Sequence, residues 1–105
     1  MEEKLKFTEE AKLDIKEAAT YYNEVESHKL ADDFLSSINE KIIQILIKPN
    51  AYSEDSDGVR KTTIRRFPYN IYYISISPSL LIIAIWHKKR NPDNLKNRID
   101  KIKNK

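Results

Sequence analysis

Seven consecutive apolar residues, Leu80-Leu81-Ile82-Ile83-Ala84-Ile85-Trp86, constrain this chain more than any other stretch. The run has the length of a strand, and its β-branched and aromatic content suits a pleated surface. Neighbouring side chains of a strand point to opposite faces, so a strand with no polar position is central or covered on both sides. Upstream, Val59 to Ile74 has the same composition, broken at Phe67-Pro68, and Ser77-Pro78-Ser79 separates it from the apolar run. These breaks predict three strands in an antiparallel meander.

Cover for the first face comes from the N-terminal half. Lys4-Leu5-Lys6-Phe7 alternates as a short edge strand does, and Thr8 is placed to cap a helix with Glu9 and Glu10 in its first turn. Ala11, Ile15, Ala18 and Tyr22 fall on one stripe of that helix, leaving Lys12, Asp14, Lys16 and Glu17 toward water; the helix ends between Asn23 and Ser27. Ala31, Phe34, Leu35, Ile38, Ile42, Ile45 and Leu46 mark a longer second helix, capped by Ser27 or His28 and stopped by Pro49. The two make an antiparallel hairpin. Residues 50–58 read as a loop with the chain's single glycine, Gly58; Asp55-Ser56-Asp57-Gly58 has no later glutamate, so it is not a calcium loop.

A helical hairpin covers one face only, so the tail must cover the other. Asn91 caps and Pro92 opens a last helix whose Leu95, Ile99 and Ile102 share a stripe, opposite an exposed basic stripe of Lys96, Arg98, Lys101, Lys103 and Lys105. The expectation is a single α+β domain over residues 1–105: short strand, helical hairpin, three-stranded meander, C-terminal helix. Leu5, Phe7, Ile15, Tyr22, Phe34, Ile38, Ile42, Ile71, Tyr73, Ile83 and Ile85 are expected in one core between hairpin and sheet.

Charge decides where function should be sought. Residues 1–58 carry 7 Lys and 14 acids, net −7, whereas residues 59–105 carry 12 Lys or Arg and 2 Asp, net +10. The basic half is the expected contact face for an anionic partner, through Arg60, Lys61, Arg66, Lys88, Lys89, Arg90, Arg98 and Lys101. With no cysteine there is no disulfide framework, thiolate site or cysteine nucleophile, and no apolar run reaches the roughly 20 residues of a membrane span. Met1-Glu2-Glu3-Lys4 lacks a signal peptide's basic and apolar regions, so the expected location is the cytoplasm, with no membrane role and no cofactor. His87 reads either as a general acid beside Lys88 and Arg90 or as a structural hydrogen-bonding group closing a strand. Arg65 and Arg66 alternate to opposite faces if their strand continues, one gripping phosphate or carboxylate. Tyr69, Tyr72 and Tyr73 read as a base-stacking platform or as core.

Ala11-x-x-Asp14-Ile15, Tyr21-Tyr22, Arg66-Phe67-Pro68-Tyr69-x-Ile71-Tyr72-Tyr73 and Trp86-His87-Lys88-x-Arg90-x-Pro92, in this order, resemble the RelE/ParE superfamily of toxins from bacterial type II toxin–antitoxin modules. The likeness is nearest to the ParE-like, plasmid-stabilisation branch. It implies a toxin that arrests growth when free and is neutralised by a cognate antitoxin; a homodimer is left open. RelE-like members cleave messenger RNA on the ribosome without a metal, and for such an endoribonuclease the resemblance implies Lys61, Arg65, His87 and Arg90 as catalytic residues. Its pattern is incomplete here. Thr63 stands at a second basic place on the first meander strand, Asn70 at the Arg that opens the next, and no Tyr follows Tyr73. ParE-like members inhibit DNA gyrase by binding and need no such set, so the resemblance leans toward a non-enzymatic toxin.

Overall fold

A computed structural model describes residues 4–56, 58–76 and 78–104. The elements are β1 (Leu5–Phe7), α1 (Glu9–Val25), α2 (His28–Ile47), β2 (Glu54–Ser56), β3 (Val59–Thr63), β4 (Tyr69–Ile76), β5 (Ser79–His87) and α3 (Pro92–Lys103). The sheet order is β1-β5-β4-β3-β2; β1 runs parallel to β5 and the remaining pairs are antiparallel. The helix starts follow from their caps. Thr8 Oγ1 accepts from the Ala11 N–H at 3.0 Å, Ser27 Oγ rather than His28 accepts from Leu30 N–H at 3.1 Å, and Asn91 Oδ1 accepts from Asp93 N–H at 2.9 Å.

The doubly apolar strand is covered on both faces, and the sheet divides the core in two. Toward the hairpin, Phe34, Ile38, Ile42 and Ile45 of α2 pack on Ile71, Tyr73, Ile82 and Ile85, with Leu5, Phe7, Ile15 and Tyr22 against them. Toward α3, Leu95 and Ile99 pack on Val59, Tyr72, Ile83, Ala84 and Trp86. Ile83 therefore leaves the single core expected for it. The reason is a bulge: Tyr72 pairs with Ala84 and Tyr73 with Ile82, so Ile83 is an extra residue that turns to the same face as Ala84.

Other expectations are corrected too. Glu54–Ser56 is an edge strand paired with β3, not loop. β3 ends at Thr63, so Arg65 and Arg66 belong to the connection to β4 and do not alternate across a strand. Arg66 sits at φ 76°, a left-handed conformation uncommon for a bulky side chain. Leu35 and Leu46 are exposed at 42% and 41%, lying just outside the stripe that α2 buries. Asp14 and Arg98, both expected to face water, are each 7% exposed. Met1, Glu2, Glu3, Asp57, Ser77 and Lys105 lie outside the described residues. Among the described residues no helix is long and apolar enough to cross a membrane.

Candidate functional site

β1 stops at Phe7 while β5 continues to His87, so the outer edge of β5 loses its strand partner after Ile82. Backbone groups left open there need other partners, or desolvation penalises them. Three side chains supply these. Asp14 Oδ2 accepts the Ile85 N–H at 3.0 Å, and the Ile83 carbonyl accepts from Arg98 Nη1 at 3.2 Å and from Thr8 Oγ1 at 3.4 Å. Arg98 meanwhile grips Asp14 with both terminal nitrogens, at 2.5 and 3.1 Å. One buried pair thus ties α1 to α3 and stands in for the missing strand.

The pair is the middle of a chain of charges. Arg98 Nε lies 3.5 Å from Glu10 Oε2, and Arg90 Nη1 lies 3.7 Å from Asp14 Oδ1. The Arg90 guanidinium covers the Trp86 ring at 3.8 Å, with Arg98 at 5.0 Å from the same ring. The turn behind Arg90 is closed by its own N–H donating to the His87 carbonyl at 3.0 Å. Arg90 is therefore a positioned cation, half-exposed on a rigid platform.

His87 is positioned differently. Its Nδ1 accepts the Lys89 N–H at 3.0 Å, and its ring meets Tyr69 edge-on at 5.0 Å. Accepting at Nδ1 leaves the neutral ring's proton on Nε2. The ring is thus held in one orientation by its own turn and by Tyr69.

Of the four expected catalytic residues, His87 and Arg90 lie together on one cavity, whereas Lys61 and Arg65 stand apart from them. Lys61 pairs across the ladder with Tyr72, on the α3 face, while His87 pairs with Tyr69, which packs against the hairpin-side core. Residues directly opposite in a ladder share a face, so the sheet lies between Lys61 and His87. Lys61 is drawn to Asp55 at 3.5 Å, and Arg65 is exposed in the β3–β4 connection. At the two places that lack cations, Thr63 Oγ1 donates to Asn70 Oδ1 at 2.9 Å, each satisfying the other.

Of the expected contact residues, Lys88, Lys89 and Lys101 are exposed. Arg60 is half-buried and donates to the Tyr52 carbonyl at 2.6 Å. Arg66 lies 3.6 Å from Asp33, whose carboxyl is held below its ordinary range by its hydrogen bond from Lys29, with Arg66 adding to the effect. Arg98 is withdrawn from the basic face altogether. Glu10, Asp14 and Trp86 were missed as site residues, although a signal existed. Asp14 falls at i+3 between Ala11, Ile15 and Ala18, and Arg98 at i+3 between Leu95, Ile99 and Ile102, each a lone charge inside an apolar stripe.

Between α1 and the end of β5 lies a cavity of about 260 Å³ lined by Asp14, Glu17, Ala18, Tyr21, Tyr69, Ile85, His87 and Arg90. Burial pushes the Tyr69 hydroxyl up from its ordinary pKa, and Tyr22, Tyr21 and Asp14 push it further the same way.

Comparison with known proteins places these features in a family context. Residues 5–92 match the family model described as the ParE toxin of type II toxin-antitoxin system, parDE. Among solved structures, the chain is similar to one from the chromosomal ParDE system of P. aeruginosa, at 21% identity and TM-score 0.70, over 79% of this chain and 92% of that one. It is also similar to a chain of the intact E. coli RelBE toxin-antitoxin complex, at 15% identity and TM-score 0.57, over 82% and 96%. The isolated E. coli RelE toxin aligns at 16% identity and TM-score 0.57, over 93% of this chain and 96% of that one. No curated protein sequence matches the chain.

Proposed function

The chain belongs to the ParE toxin family of type II toxin–antitoxin systems, and we propose that it inhibits growth by binding DNA gyrase rather than by cleaving messenger RNA. One observation carries the choice: the hydrogen bond between Thr63 and Asn70, on an α3-side face that Lys61 shares but His87 does not. Metal-free cleavage of RNA needs a base, an acid and cations around one phosphorus. A single donor to a developing oxyanion is worth about 2.7–4 kcal/mol, so two uncharged, mutually satisfied side chains at those places remove much of the barrier reduction. A binding toxin asks only for a fixed cationic surface, which Arg90, Lys88, Lys89 and Lys101 provide.

A cognate antitoxin is the partner this reading requires, as in the RelBE complex. An acidic segment that orders on binding suits a half-chain of net +10: its charge speeds encounter and its apolar side chains fill the surface beside the hairpin. The reading is tested by induced expression in cells without antitoxin. A DNA-damage response with translation intact is expected, kept by His87→Gln and lost when Arg90 and Lys101 are both changed to Ala. Loss of translation without DNA damage refutes it.

A further inference from the structure

The cavity beside Arg90 looks at first like an anion site, since Arg90 and His87 line it. Its charges say otherwise. Glu10, Arg98, Asp14 and Arg90 form a continuous chain through contacts of 3.5, 2.5 and 3.7 Å, two acids against two bases, so this chain brings no net charge to the cavity while Arg90 keeps its exposed edge. Arg90 is further engaged by the Trp86 face. Glu17 on the same wall is exposed and makes no ion pair among the described residues, so the cavity keeps one uncompensated carboxylate. Lys88 and Lys89 do not line it. Ala18, Ile85, His87, Tyr21 and Tyr69 complete its lining, and an aromatic face carries the negative part of the ring quadrupole. Burial first, and then Tyr22, Tyr21 and Asp14, raise the pKa of the Tyr69 hydroxyl.

We propose that this cavity takes an arginine side chain of a protein partner, its guanidinium paired with Glu17 and stacked on Tyr21 or Tyr69. At about 260 Å³ the space lies below the roughly 300–1,000 Å³ of ordinary small-ligand pockets, so it suits one side chain rather than a nucleotide. A planar guanidinium uses carboxylate and ring face together, which an ammonium does less well. A separate shallow groove of about 440 Å³ runs along α1, shares Glu17 and Tyr21 with the cavity and adds Leu13, Lys16, Thr20 and Glu24. Leu13 and Tyr21 are 54% and 55% exposed, so the segment bearing the arginine lies along α1 with an apolar residue over Leu13. The basic half of the chain and this acidic-aromatic cavity then ask opposite charges of their partners.

The test uses the full chain and N-acetyl-arginine methylamide, with the ring resonances of Tyr21, Tyr69 and His87 followed by NMR. The arginine probe should shift these rings saturably, while its uncharged citrulline analogue and inorganic phosphate do not. Glu17→Gln should weaken the probe by roughly threefold to fivefold, as loss of an exposed ion pair does, with the fold verified by circular dichroism. An arginine probe that shifts none of the three rings, or that binds Glu17→Gln as well as the native chain, overturns the proposal. So does a citrulline analogue that binds equally, and saturable phosphate binding at these rings assigns the cavity to nucleic acid instead. The choice between gyrase and ribosome is untouched by any of these outcomes.

Discussion

Replacing Arg98 by Met keeps an unbranched stem of similar reach and removes the guanidinium that binds Asp14 and the Ile83 carbonyl. Asp14 then stays buried with the Ile85 N–H and a 3.7 Å approach from Arg90 as its compensation. Breaking one side of a buried pair costs about 3–5 kcal/mol, because the remaining charge is stranded. A domain of this length holds about 5–15 kcal/mol in total, so Arg98→Met should lose roughly a fifth of its stability or more. Adding Asp14→Leu removes the stranded charge but orphans the Ile85 N–H, worth about 1–3 kcal/mol. Urea denaturation should therefore rank the midpoints native, then double variant, then Arg98→Met, with unchanged slopes. A double variant as stable as the native chain would mean that the pair does not cap the β5 edge. An Arg98→Met variant that unfolds at the native midpoint would refute the whole account of the pair.

Three further outcomes are expected. Phe34→Ala and Ile83→Ala empty positions that are 0% exposed in the two cores, and each should cost about 2–5 kcal/mol by the same denaturation; native-like melting of either would misplace its core. Burial, the largest cause in each case, raises the hydroxyl pKa of Tyr22, Tyr69 and Tyr73 in the folded chain. The unfolded chain then loses these protons first, so stability is intact below about pH 10 and falls as pH rises through the higher folded values, which denaturation from pH 8 to 12 measures. Association with the antitoxin should slow about tenfold or more from low to high salt in stopped-flow measurements, whereas a salt-independent rate would move docking away from the basic half.

The helices and the meander were legible because their signals are local. A cap at Thr8, helical spacing from Ala11 to Tyr22, and a run from Leu80 to Trp86 need no knowledge of the rest of the chain. What was illegible depends on pairing. Glu54-Asp55-Ser56 has no strand composition; it is a strand because β3 offers an edge to it. Ile83 belongs to the α3-side core because of a bulge, which changes the parity of β5 without changing its apolar pattern. Asp14 and Arg98 were assigned to water by a rule that sends charges outward, and the rule fails when two lone charges satisfy each other and a strand edge. The candidate site suffered most from this. Arg90 was found from the basic half and the family resemblance, yet the Trp86, Asp14 and Arg98 platform that positions it is spread over α1, β5 and α3.

The central claim, inhibition by binding, is tested most directly with purified protein added to ribosomes programmed with a defined messenger RNA and, in parallel, to gyrase in a supercoiling reaction. The messenger should remain intact by primer extension while supercoiling is inhibited, equally by the native chain and by His87→Gln. Codon-specific cleavage that vanishes in His87→Gln, with supercoiling unaffected, would contradict the claim, since a catalytic histidine typically contributes about 10²- to 10⁴-fold to rate and a structural one little.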